Sequence, residues 1–151
     1  MGRVTQVLGW VTLVIVIGVV GLVSYRLLTV GGVNERVAAD IRANSDGALA
    51  AKTMLLTLAD DRMYPVNFLH EGNYVFVGID GRWWREFVDE PQPVQMFIQG
   101  ETLAGQARTI LDDPARKKDL FSRLRPTVPK WLPDALNAKL VEITLDPAAG
   151  Q

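Results

Sequence analysis

The spacing of apolar and polar residues changes character along the chain, and each change marks an element. From Val4 to Tyr25 there is no alternation: the run carries no charge and is bounded by Arg3 and Arg26. About 20 apolar residues in a helix cross a bilayer core. Trp10 and Tyr25 stand near the two ends, where amphipathic rings prefer the interface. A cleaved signal peptide shares this apolar character, but the run is long for such a segment and no small-x-small cleavage site directly follows it. Residues 1–30 are therefore read as a single-pass transmembrane anchor. Arg26, Arg36 and Arg42 follow it and Arg3 precedes it, which by the positive-inside rule puts the rest of the chain in the cytoplasm.

Residues 31–51 read as a linker. Gly31 and Gly32 interrupt the helix, and Asn34 suits the cap of a short amphipathic one with Val37, Ala38 and Ile41 on one face. Asn44 to Gly47 ends it. From Lys52 the period shortens. "TMLLTLA", "YPVNFLH" and "YVFVGI" are apolar, strand-like runs separated by the turns "DDRM" and "EGN". "WWREFVDE" then shows helical spacing, with Trp83, Trp84, Phe87 and Val88 on one face and Arg85, Glu86 and Asp89 on the other. "PVQMFIQG" and "ETLAGQARTIL" form a hairpin turning at Gln99–Gly100. "DDPARKKDLFSRL" is a helix with Asp113 as N-cap, Pro114 in the first position and Leu120, Phe121 and Leu124 as its apolar side. "PKWLPDALNA" is a proline-punctuated helical piece, and "LVEITLD" a last strand. Hairpin links make the sheet antiparallel, and strands this short hide their edges best by closing into a barrel. The expectation is a mainly β (α+β) domain at 52–147, a six-stranded antiparallel barrel with short helices, ending in a tail at 148–151.

Composition narrows the chemistry. The 151 residues carry 16 basic and 17 acidic side chains, a net charge of −1, which argues against nucleic acid as main partner. There is no cysteine and one histidine, His70. Disulfides, thiolate chemistry, a His-based metal cluster and a Ser-His-Asp triad are thus not expected.

The order of elements and the residues in it resemble the flavin-binding split β-barrel superfamily, and within it the deazaflavin-dependent nitroreductase and quinone reductase branch. Three stretches carry the resemblance: "KTMLLTLADDRMYPVNFLHEGNYVFVG", "GRWWREFVDEPQPVQMFI" and "ETLAGQARTILDDPARKKDLFSRL". It implies a bound FMN or deazaflavin (coenzyme F-420) that carries the hydride chemistry, with a quinone as a fitting acceptor and a homodimer as a common assembly. Two features depart from the branch. The turn "ADDRMYP" has no glycine and holds Asp60 and Asp61, which repel phosphate. Glu86 stands where the branch places an asparagine. They leave room for a barrel without a cofactor that binds a ligand or partner.

The resemblance places a phosphate-binding cation at the first hairpin turn, here Arg62; beside two aspartates it can also be neutralised locally. Asn67 suits the polar edge of a flavin ring, and Tyr64 lies on the opposite face of that strand. Arg82 and Arg85 offer guanidinium forks beside a helix start, a good phosphate cradle. Their plainer role is a solvated face on which Arg85 pairs with Asp89. Of Trp83 and Trp84, one can plug the barrel end while the other reaches a cofactor ring or the membrane surface, or both can be packing residues. His70 reads as an exposed turn residue. Glu86, Asp89 and Glu90 crowd one helix and do not make a spaced acid–base pair. Met96 and Phe97 read as core. Arg116 to Lys118 read as a solvated helix face, with anionic lipid headgroups as the other reading. No catalytic residue stands out.

Overall fold

A computed structural model describes residue 16 and residues 34–129, 131–133 and 137–147. All of the anchor run except Val16 lies outside these residues, as do Gly31, Gly32 and part of "PKWLPDALNA". Among the described residues no helix is long and apolar enough to cross a membrane. The chain divides into two compact units, Met1–Val37 and Ala38–Gln151.

Helix α1 covers residues 34–43. Six strands follow: β1 (Thr53–Thr57), β2 (Met63–Glu71), β3 (Tyr74–Ile79), β4 (Gln92–Ile98), β5 (Glu101–Ile110) and β6 (Lys139–Leu145). A 3-10 helix, Arg82–Phe87, follows β3, and helix α2, Pro114–Leu124, follows β5. The strands close into a barrel in the order β1-β2-β3-β6-β5-β4, every pair antiparallel.

Period-2 patterning explains the interior. Met54 and Leu56, Val75, Val77 and Ile79, Val94, Met96 and Ile98, Ala107, and Val141 and Ile143 all point inward and are buried together. Phe97 faces the other way and is half-buried. The outer face is covered in two places. Leu55 points outward yet is only 1% exposed. On the preceding segment, Ala38, Ile41 and Ala50 are buried, and Arg42 donates to the Met63 Sδ on the outer face of β2 at 3.3 Å. On the far side α2 lays Leu120, Phe121 and Leu124 over Phe76 and Leu140. Asp113 caps α2 by accepting from the Arg116 N–H at 2.9 Å, and Pro114 opens the helix. Lys117, expected on a solvated face, lies in the buried stripe instead. Its Nζ sits 5.4 Å from the Phe121 ring centre, since a lysine stem can cover apolar surface.

The turns are built by positive φ. Gln99 and Gly100, at 48° and 91°, make the two-residue turn between β4 and β5, whose twist matches that of the strands. In the first hairpin turn Asp61 takes φ 65° in the absence of a glycine; aspartate tolerates this region better than most residues.

Candidate functional site

Beyond the Phe68–Val77 pair, β2 and β3 part. The Met63–Asn67 half of β2 pairs with β1 but not with β3. Pro65 lies in this half, where a missing N–H is tolerated. The 3-10 helix follows β3 and packs at this end of the barrel against β3, β5 and β6. Trp83 stacks on Tyr64 with ring centres 4.5 Å apart and planes 7° from parallel. It also meets the buried Phe87 edge-on at 6.0 Å. Gly81 precedes the helix because the Trp83 indole folds back over it: a Cβ there would come within 2.7 Å of the ring. Thr109 on β5 donates its hydroxyl to the Trp84 carbonyl at 2.7 Å, tying the helix to the barrel.

The short helix expected here is a 3-10 helix, Arg82–Phe87. The apolar face keeps Trp83, Trp84 and Phe87 but loses Val88, which is exposed. Three residues per turn turn Val88 away from a face that 3.6 would let it share.

The charges at this mouth are unevenly committed. Arg62 donates Nη2 to both Glu86 oxygens at 2.8 Å and Nε to Asp60 at 2.5 Å, while Nη1 reaches the Tyr64 hydroxyl at 3.5 Å. The Glu86 and Asp60 carboxylates push the Arg62 pKa up, and Arg62 in turn holds the Asp60 carboxyl below the usual carboxylate range. Arg82 and Arg85 are exposed and pair with no carboxylate among the described residues; the expected Arg85–Asp89 pair is replaced by Arg85 lying over the Trp84 ring at 5.1 Å. Asn67 sits apart, on the outer face of β2, where its Oδ1 accepts from the Thr53 hydroxyl at 3.0 Å. The structure thus gathers Arg62, Arg82, Trp83, Trp84 and Arg85 around the 3-10 helix and leaves Asn67 outside that group. His70 is exposed, its Nε2 3.1 Å from the Gly72 carbonyl oxygen.

Two features of this site escaped the sequence reading. Thr109 reads as one more polar position in an alternating strand. The Arg62–Glu86 pair joins residues 24 apart, and nothing local signals it; only the excess of acid around Arg62 hints that its charge is answered.

No protein-family model matches the chain, and no curated protein sequence does. Solved structures do. A provisionally assigned pyridoxamine 5′-phosphate oxidase from Listeria innocua superposes with a TM-score of 0.52 at 15% identity, covering 66% of this chain and 90% of that one. The fold is a split β-barrel. A provisionally assigned general stress protein 26 from Jannaschia sp. CCS1 aligns with a TM-score of 0.44 at 11% identity, covering 74% of this chain and 75% of that one. In this split barrel the 3-10 helix packs across one end, against β3, β5 and β6, with Trp83 reaching Tyr64 on β2 and Glu86 reaching Arg62.

Proposed function

We propose that this split barrel is a membrane-anchored oxidoreductase of the flavin-binding kind, taking FMN or a deazaflavin. The bound ring would supply hydride transfer to a lipid-soluble or small aromatic acceptor such as a quinone. The observation that carries the reading is the fold itself, a closed six-stranded barrel like that of a provisionally assigned pyridoxamine 5′-phosphate oxidase. The cationic mouth supports it. Arg82 and Arg85 fit a phosphate group: their guanidinium groups are exposed and answer to no carboxylate among the described residues. Arg62 does not fit one while Asp60, Glu86 and Tyr64 occupy its three nitrogens. Trp83 has one face covered by Tyr64 and its edge against Phe87, while Trp84 carries the Arg85 guanidinium over its ring, a cation that a bound phosphate could share. Asn67, whose oxygen is taken by Thr53, keeps its amide N–H groups as donors toward the outer face.

The anchor at 1–30 would hold the barrel on the cytoplasmic side of the cell membrane, next to lipid-soluble acceptors. Titration of the full chain with FMN and with coenzyme F-420, followed by cofactor fluorescence, tests the reading. A lost charge-assisted donor costs about 1.5–3 kcal/mol, roughly ten- to a hundredfold in affinity. Arg82→Ala and Arg85→Ala are expected to lose that much with the fold intact. A wild type that binds neither cofactor sinks the proposal.

The closed Arg62 clasp favours a second reading, a barrel without a cofactor that serves as a ligand- or partner-binding module. A colourless protein that stays unaltered by both cofactors is its signature.

A further inference from the structure

A second surface lies away from the mouth, between α2 and the chain that follows it. A groove of about 580 Å³ opens there, lined by Lys117, Lys118, Phe121, Arg125, Val128 and Leu132 among others, and no carboxylate is among the described residues that line it. The cations have different duties. Arg125 donates to Asp80 and Asn137, and Lys117 covers the Phe121 ring. Lys118 is exposed and pairs with no carboxylate among the described residues. Beside the groove Trp131 is 79% exposed, the most exposed of the large apolar side chains among the described residues. An indole so uncovered wastes the largest apolar payload a side chain offers.

We infer that this groove and Trp131 form a docking surface for an anionic lipid bilayer, with a lipid headgroup met by Lys118 at the groove and the indole at the interface. The chemistry matches on both counts. Cations next to apolar walls suit a headgroup joined to its first acyl carbons, and tryptophan favours the boundary between water and hydrocarbon. A protein partner would be expected to bring carboxylates or an apolar core of its own; a bilayer needs only this mixture. The inference rests on the anchor reading for one further support. If the uncharged run up to Tyr25 spans a bilayer, residues 26–37 reach at most roughly 40 Å, so the unit that begins at Ala38 stays within that distance of the surface.

The test uses the full chain in lipid nanodiscs containing phosphatidylcholine brominated in its acyl chains, with and without a third of phosphatidylserine. Bromine quenches only tryptophans near the hydrocarbon. The chain has four, so Trp131 is isolated by difference against Trp131→Phe. The expected result is a Trp131 signal that is strongly quenched in anionic discs and at least twofold less in neutral ones. Lys118→Glu should weaken the anionic preference by about fivefold or more. Equal quenching of wild type and Trp131→Phe in anionic discs overturns the docking surface while leaving the anchor standing. A chain not retained in either disc removes the anchor. The same chain then meets free vesicles, where a Trp131 blue shift on anionic but not neutral vesicles upholds the surface and its absence rejects it. A Trp131 shift produced equally by soluble glycerophosphate assigns the groove to a free phosphate and also overturns the lipid proposal.

Discussion

Two apolar clusters hold this domain together, and they are built on opposite principles. The interior cluster draws its buried residues from β1, from β3 to β6 and from the 3-10 helix, with Tyr64, Val66 and Phe68 of β2 half-buried against it, and contains no charged residue. The outer cluster gathers Leu120, Phe121 and Leu124 of one helix over Phe76, Ala138 and Leu140. Its rim is cationic: Arg116 lies over the Phe76 ring at 5.1 Å while donating to Glu142 at 2.5 Å. In the first, each side chain is fixed from every direction. In the second, a single amphipathic element can shift to close a gap. The two meet in β3, where Val75 and Val77 face one cluster and Phe76 the other, so the strand is buried on both faces. Which residues tolerate change should therefore depend on the cluster more than on exposure, which is close to zero in both.

The sharpest way to break this contrast is Phe87→Ala. Phe87 plugs the barrel at its mouth, and its loss should cost about 3–5 kcal/mol, with Trp83 released from its edge contact. Urea unfolding with near-ultraviolet circular dichroism reads both effects. Leu120→Ala, equally buried but under one helix, should cost about 2–3 kcal/mol, because α2 can settle toward the space. If the two variants lose the same stability, the clusters are not different in kind. Asp113→Ala acts on α2 alone by removing its cap, and should cost about 1 kcal/mol without changing the tryptophan signal.

The smallest effect belongs to the mouth. The Asp60 carboxyl titrates below its ordinary range because Arg62 donates to it. A depressed carboxylate contributes stability above its unfolded pKa and loses it as pH falls through the folded one. Asp60→Asn should thus be slightly less stable than wild type at neutral pH, and the gap should close in strong acid. Both side chains are well exposed, so solvent and salt screen the pair; a gap that persists in acid would assign the effect to something other than this contact.

Much of the barrel was legible because its determinants are local. The alternation in "PVQMFI", the turn at Gln99–Gly100 and the Asp113–Pro114 helix start each follow from a few adjacent residues, and each stands where the pattern puts it. The misreadings arise where a distant element decides. The spacing of "WWREFV" puts Val88 on the apolar face, yet the segment is a 3-10 helix tied to Tyr64 and Thr109, remote in sequence, and Val88 is left outside. Lys117 looks solvated by composition, but it sits one turn before Leu120 and Phe121 and is drawn under with them. At the candidate site the residue types were visible and their allegiances were not. Arg62 is spoken for by Glu86 across the mouth, while Arg82, its neighbour at the same opening, is not.

The position of β6 has a consequence for how the chain reaches this state. β6 lies between β3 and β5, and its Thr144 pairs with Tyr74 on β3. The last strand of the barrel to leave the ribosome is thus the one that closes it, and without it neither β3 nor β5 has its second neighbour. Pairings between such remote positions must first pay for closing the intervening loop, which places folding in the range of roughly milliseconds to seconds. A nascent chain that stalls before Lys139 would hold five strands and no barrel, with Val75 and Val77 still open to water. Maturation of this domain should accordingly be a single late event, switched on by the arrival of seven residues, Lys139 to Leu145.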